Sequence, residues 1–265
     1  MITTDKIQNL FYEKLRIENE EKEKKHTQSG KLSAGKLHLP TRLQLMYTYG
    51  VPTKKVEDYA LGLFYRGEQA EDTAIKYMKL NGMLIKEQIL LNKHGVIGVL
   101  DALISTERLG LSQKIGNTLP VEIKSVKNAK LNRIKKTGID WHYKLQAGFY
   151  AMALNSKYFG VLIISAEDYR HTLYVFETNI IEREVLEIID KYNKAVQDFE
   201  KKGILPKLKT KKGYEWVTNP KYCMFEKRFM EMSDKDLATF MKMSRTRIDG
   251  LSGKEEFLAV KGGDK

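Results

Sequence analysis

The sequence predicts an α/β domain with a helical N-terminal region and a loop-rich C-terminal extension, and three observations predict it. Apolar residues recur at helical spacing over residues 57–80 and 179–202. Between those segments the period changes to that of strands, at 83–91, 96–104 and 119–126 and again at 158–165 and 171–176. The resulting order is helices, three strands, a helix, two strands and a helix, which gives one helix-flanked sheet with different texture at either end. At 265 residues the chain has room for a sizeable core, and 42% hydrophobic residues with 10% aromatics exclude disorder throughout.

Each element has its own signal. Residues 5–28 are dense in Glu and Lys and read as an exposed, solvated helix with a thin stripe at Ile7, Phe11 and Leu15. Ser29-Gly30 breaks it, and a second helix is expected from Ser33-Ala34-Gly35, carrying Leu37, Leu39, Leu43 and Met46 to Gly50-Val51-Pro52. Tyr59, Leu63, Ala70, Ala74, Tyr77 and Met78 set the helix over 57–80, which Asn81-Gly82 ends. Lys93-His94-Gly95 is a hairpin turn between the first two strands. A helix fits 142–154, with Leu145, Phe149 and Met152 on one side, and Glu167-Asp168-Tyr169 joins the last two strands. Ile181, Val185, Ile188, Tyr192, Val196 and Phe199 step by three or four along the last long helix. Beyond Gly203 the texture turns basic, with six lysines and no acid over 201–212, and residues 233–265 read as a polar tail ending in Gly262-Gly263.

Charge narrows the partners. Lys and Arg number 46 against 34 Asp and Glu, a net charge of +12, which suits a polyanion. No apolar run reaches the roughly 18 residues needed to span a bilayer, and the N-terminus lacks the apolar core of a signal peptide. The basic runs sit outside any amphipathic helix, so an anionic membrane is the weaker partner and nucleic acid the stronger. A single cysteine, Cys223, excludes an internal disulfide, and the expected location is reducing cytoplasm.

The stretch that carries chemistry is Gly98-Val99-Leu100-Asp101 followed by Leu119-Pro120-Val121-Glu122-Ile123-Lys124. On a strand, alternate residues share a face, so Val121 and Ile123 point to the core while Glu122 and Lys124 point together the other way. Asp101 on the preceding strand comes beside Glu122. Two close carboxylates repel unless a cation lies between them, and hard oxygen ligands suit Mg²⁺ or Mn²⁺. Lys124 would orient a water or offset developing negative charge. Two further motifs flank this pair: Gly67-Glu68-Gln69-Ala70-Glu71 upstream, and Gln146-Ala147-Gly148-Phe149-Tyr150 downstream.

Over residues 67–150 this ordered set resembles the PD-(D/E)XK nuclease superfamily, and within it the RecB-type exonuclease branch that includes lambda-type phage exonucleases and CRISPR-adaptation exonucleases. Each motif is weak alone and the order is what makes the resemblance specific. It implies a restriction-endonuclease-like core, a central mixed β-sheet flanked by helices, over residues 57–202, between a helical N-terminal region at 1–56 and a basic C-terminal extension at 203–265 that packs on the core. It implies that Asp101, Glu122 and the backbone carbonyl of Ile123 are metal ligands, that Lys124 is the catalytic lysine, and that Gln146 and Tyr150 stand on a helix that supports the site and meets the DNA. Position 71 holds a histidine ligand in many relatives. Here it is Glu71, also an oxygen ligand, and the choice of Glu71 over Glu68 and Asp72 rests on spacing from Gly67.

Some relatives hold an iron–sulfur cluster through four cysteines. In this chain Leu39 stands where the first thiolate would be and only Cys223 remains near the C-terminus, so no iron–sulfur cluster is expected. Lys127, Lys130, Arg133, Lys135 and Lys136 follow the Glu-x-Lys strand with no acid from 123 to 137, and read as a basic loop along a phosphate backbone. The expected activity is a divalent-metal-dependent DNA exonuclease acting on single- or double-stranded DNA in replication, recombination or repair. A structure-specific endonuclease and a non-catalytic DNA-end-binding protein with the same fold remain open, as do a homo-oligomer and a recombination partner protein.

Overall fold

The structure, a computed structural model, describes residues 4–27, 30–219 and 221–250; the end of the expected polar tail, with Gly262-Gly263, lies outside the described residues. Among the described residues the chain packs as two compact units. One gathers residues 4–32, 39–61 and 190–250, and the other gathers 33–38 and 62–189. Two of the four boundaries fall inside the long helices α3 (Asp58–Leu80) and α7 (Asn179–Lys202), and the other two flank residues 33–38.

The second unit is a mixed sheet between helices. After the two-residue β1 (Leu32–Ser33), β2 (Leu84–Lys93) and β3 (Val96–Ser105) form an antiparallel hairpin. Its turn places both His94 and Gly95 at positive φ, 54° and 79°, the primed geometry that follows strand twist. Past the short α4 (Ser112–Ile115), β4 (Thr118–Val126) pairs antiparallel with β3, then runs parallel to β5 (Tyr158–Ser165), and β6 (His171–Glu177) returns antiparallel to β5. The β4–β5 crossover carries α5 (Asn128–Thr137) and α6 (Trp141–Ala153). β5 is a near-continuous apolar run because both its faces are covered, and β4 is buried from Leu119 to Ile123 despite the charged Glu122 within it. Ala70, Ala74 and Met78, at one-turn spacing on α3, pack on Ala102, Ile104, Val121, Ile123, Leu162 and Ile164. Phe159, Val161 and Ile163 alternate with that set, are equally buried, and face the other side, where α6 packs.

The first unit is helical. α1 (Thr4–Thr27) leaves Ile7, Leu10 and Ile17 exposed and buries Leu15, and Arg16 on it donates to Asp58 at 2.8 Å. The helix expected from Ser33 onward is two pieces, a single 3-10 turn at Ala34–Lys36, which belongs to the second unit, and α2 (Thr41–Thr48) in the first. Pro40 separates them: it has no N–H to donate and sits as the N-cap of α2, where none is needed. Tyr49 packs edge-on against Phe199 and donates to Glu200 at 2.9 Å, while the Tyr192 hydroxyl reaches Thr48. The C-terminal extension is less loop-like than expected. Its reading as a polar tail overlooked Leu237 and Met241, four residues apart, which are buried along α9 (Asp234–Gly250) behind the short α8 (Lys227–Met230). No described helix is long and apolar enough to cross a membrane.

Candidate active site

The candidate site lies where two strands part. β3 and β4 pair only over Ala102–Ser105 and Thr118–Val121, so beyond Val121 the inner edge of β4 has no strand beside it. Asp101 fills the first gap: its Oδ2 accepts the Ile123 N–H at 2.7 Å. Glu122 is 1% exposed, and one carboxylate oxygen meets the Lys124 ammonium at 2.5 Å. Its other oxygen, Oε2, is buried with no hydrogen-bond partner. Glu71 comes from α3, one turn after Gly67, and accepts from the Ser125 hydroxyl at 3.4 Å. Asp101, Glu122, Lys124 and Glu71 thus share one cluster, in which Glu122 is buried and the other three are half-buried.

The electrostatics follow from three carboxylates facing one ammonium. Burial, then repulsion from Asp101 and Glu71, pushes the Glu122 carboxyl up to about 8. Burial, with the Asp101 charge, pushes Glu71 up to about 7. Asp101 is raised by burial although Lys124 and the Ile123 amide oppose it. Burial alone would lower the Lys124 ammonium, but Glu122, Asp101 and Glu71 outweigh it and hold it above its ordinary value. Each carboxyl is raised chiefly by burial, and Glu122 and Glu71 are raised further by the charge of their carboxylate neighbours.

Two motif glycines have direct steric reasons. A Cβ on Gly67 would stand 2.7 Å from the Ser125 hydroxyl, so the glycine lets α3 approach β4 beside Glu71. A Cβ on Gly98 would stand 2.7 Å from the Tyr150 ring and 2.8 Å from the Ala34 methyl. Tyr150 is 2% exposed and its hydroxyl accepts from the Gln146 amide at 3.2 Å. The expected meeting of Tyr150 with DNA is therefore corrected: its ring is walled in by β3, and it buttresses the carboxylate cluster. Gly98→Ala should displace Tyr150 and cost about 1–3 kcal/mol, the usual range for overpacking. A lower urea midpoint with an unchanged m-value would register it.

The expected basic loop is a helix. Leu131 and Ile134, three residues apart and buried, fold residues 128–137 into α5. Lys130 bonds the Tyr143 hydroxyl at 2.8 Å and pairs with Asp140 at 3.0 Å, and Arg133 pairs with the same Asp140 at 2.9 Å. Lys135 and Lys136 are exposed in the last turn. Lys127 is the N-cap of α5 and lines a cleft of about 390 Å³ with Phe64, Arg66, Gly67, Glu71 and Ser125. Sequence reasoning missed Ser125, Arg66 and Asp140. Ser125 and Arg66 adjoin motif residues, and Asp140 lay just past the acid-free run.

His142 packs tilted against His38 with ring centroids 5.4 Å apart, and burial pushes both imidazoles down to about 4, helped on His38 by Lys36 and on His142 by His38 and Lys130, and opposed on His142 by Asp140. An imidazole with a lowered folded pKa is bound by fewer protons than in the unfolded chain. Its stabilising contribution is therefore complete above about 6.5 and is lost as pH falls toward 4. The raised Glu71 and Glu122 carboxyls act in the opposite sense over this window, because they bind more protons folded than unfolded. The imidazole contribution is therefore read as a difference: His142→Gln should gain on the order of 1 kcal/mol relative to the parent between pH 7 and pH 4.5 in thermal melts.

Oxygen donors only, an orphaned buried carboxylate oxygen and a deficit of positive charge fit a hard divalent cation. As they stand, no three His, Cys, Asp or Glu side chains among the described residues are grouped so that they could hold a metal ion. Glu122 turns one oxygen to Lys124 and Asp101 turns one to the Ile123 amide. Leu39 and Cys223, the positions compared with cluster-holding cysteines, are both buried in the first unit, at 9% and 2% exposure.

No family model matches the chain, and no curated protein sequence matches it. Among solved structures it is similar to an alkaline exonuclease from Laribacter hongkongensis, at 15% identity and a TM-score of 0.43 over 66% of this chain and 93% of the other. The same exonuclease in complex with dAMP aligns at 16% identity and a TM-score of 0.46, over 66% and 94%. A phage-related exonuclease from Haemophilus somnus 129PT aligns at 14% identity and a TM-score of 0.36, over 64% and 96%. These overlaps are loose, and the reading of the site rests on the chain's own residues.

Proposed function

We propose that this chain is a divalent-metal-dependent DNA exonuclease of the RecB type with a restriction-endonuclease-like core. The observation that carries the reading is the cluster at the strand fork, in which Asp101, Glu122 and Glu71 face a single ammonium and Glu122 Oε2 has no partner. A chain without catalytic use for such a cluster gains stability by replacing it with apolar side chains, since buried charge is costly. Glu71, Asp101, Glu122 and the Ile123 carbonyl would hold Mg²⁺ or Mn²⁺. When bound, the cation supplies Lewis-acid stabilisation of charge on a phosphoryl group.

The chain's own groups supply the rest. Lys124, held beside Glu122, orients the attacking water and offsets negative charge developing on phosphate oxygens. Asp101 fixes the β4 edge through the Ile123 amide, and Ser125 orients Glu71. Gln146 and Tyr150 hold the wall behind the carboxylates. Lys127 and Arg66, beside Glu71 in the cleft, and Lys135 and Lys136 along α5 are placed to meet phosphates. Lys130 and Arg133 contribute less to that field because Asp140 neutralises part of their charge.

A time course on end-labelled single- and double-stranded DNA tests the reading. Degradation from an end is expected with Mg²⁺ or Mn²⁺, and none with EDTA. Intact DNA in every metal condition, with the ends still bound, would replace the nuclease by a DNA-end-binding protein of the same fold.

A further inference from the structure

Half of the chain's positive surplus lies in one short stretch away from the carboxylates in sequence. Residues 201–222 hold seven lysines and one acid, Glu215, so 7 − 1 = +6 against +12 for the whole chain. The stretch belongs to the first compact unit. Lys207, Lys209, Lys211 and Lys212 are exposed along a run that forms neither helix nor strand. It follows α7 and leads into a short 3-10 turn at Glu215–Thr218.

Two aromatic rings stand at the end of this run. Trp216 is 43% exposed and Tyr222 is 58% exposed. Their neighbours are core: Val217, Cys223 and Phe225 are buried at 3%, 2% and 0%. Backbone bonds from Asn219 N–H to the Trp216 carbonyl at 3.1 Å, and from Tyr222 N–H to the Asn219 carbonyl at 2.9 Å, fix the turns that carry both rings. The Lys221 ammonium lies 5.5 Å above the Tyr222 ring. Outward-facing rings among exposed lysines, with the Tyr214 ring 6.2 Å from that of Trp216, are the composition of a stacking platform beside a phosphate track.

We propose that residues 201–219, with Lys221 and Tyr222, form a binding surface for single-stranded nucleic acid, with the lysines neutralising its phosphates and Trp216 and Tyr222 stacking on its bases. A duplex keeps its base faces covered by one another, whereas a single strand offers them to a ring. An anionic lipid surface is the other polyanion to weigh. Lipid binding favours a continuous apolar face on an amphipathic helix. Here the exposed aliphatics Ile204 and Leu208 are separated by buried Leu205 and half-buried Pro206, on a run with no helix. The surface does not depend on the reading of the carboxylate cluster, because it binds without cleaving.

The chain's two tryptophans make the test specific to place. Trp141 lies in the other unit and donates its indole N–H to Glu184 at 2.8 Å. Intrinsic fluorescence of the full chain is titrated in EDTA, so that nothing is cut, with a short oligothymidylate, a blunt duplex, and vesicles of phosphatidylcholine with phosphatidylglycerol. The oligothymidylate should quench the parent and Trp141→Phe but not Trp216→Phe. Anisotropy of the labelled oligonucleotide should show Trp216→Ala and Tyr222→Ala each weakening binding about tenfold. Replacing Lys207, Lys209, Lys211 and Lys212 by Ala should flatten the log–log salt slope by roughly 2 to 3. Cleavage of DNA with metal is measured separately and neither supports nor sinks this surface. Quenching that follows Trp141, a salt slope unchanged by the four replacements, tighter binding of the duplex, or quenching of Trp216 by vesicles alone would each overturn the proposal.

Discussion

Glu122→Gln is expected to lower DNA cleavage by about a thousandfold or more, roughly 4 kcal/mol of transition-state stabilisation, while the protein stays folded. Gln has the shape of Glu and keeps an oxygen for the Lys124 ammonium, which lies 2.5 Å away. What changes is the second oxygen, buried without a partner, which becomes an amide nitrogen and cannot ligate a cation. The substitution also removes a charge that Asp101 and Glu71 repel. The metal-free variant should therefore melt at or above the parent's temperature. Cleavage of end-labelled DNA in Mg²⁺, paired with a melt in EDTA, reads both effects. Activity within tenfold of the parent would remove Glu122 from the catalytic set.

Lys124→Met should have the largest effect on stability. Lys124 is the one ammonium that Glu122, Asp101 and Glu71 all face, and methionine fills similar volume without the charge. Removing one partner of a buried ion pair costs about 3–5 kcal/mol, because the other charge stays buried and uncompensated. For a chain of this size that is a fall in melting temperature on the order of 10 °C. Saturating Mg²⁺ should restore more of the variant's lost stability than it adds to the parent, since a bound cation replaces part of the missing charge. Turnover should stay low even then, because the cation cannot take over the orienting role of the ammonium. A metal-free variant that melts with the parent would show that the cluster is solvated more than its burial indicates.

The carboxylate site was largely legible because its parts are local. Glu122 and Lys124 are two residues apart on a strand, so the two-residue period puts them on one face whatever surrounds them. Asp101 needed only the next strand of the hairpin order, and the Ala102–Val121 pairing brings it to Glu122. Gly67 and Gly98 could be read as motif members but not explained. Their reasons, Ser125 and the Tyr150 ring, stand far off in sequence, and no local period reports a contact of that kind.

The sequence by itself determined the mixed order of strands and helices, the pairing of Glu122 with Lys124, and the basic character of the surface. Those depend on periodicity and composition, which each segment carries alone. Tertiary structure decided what lies across from each segment. Pro40 split one expected helix into two pieces, and the burial of Leu131 and Ile134 turned a lysine-rich loop into α5. Asp140 drew Lys130 and Arg133 into ion pairs that charge counting over 123–137 did not include. Burial sealed Tyr150 behind β3 and left Glu122 Oε2 without a partner. The physical reason is common to all of these: period and charge are properties of the chain, whereas desolvation is a property of the groups that close over it.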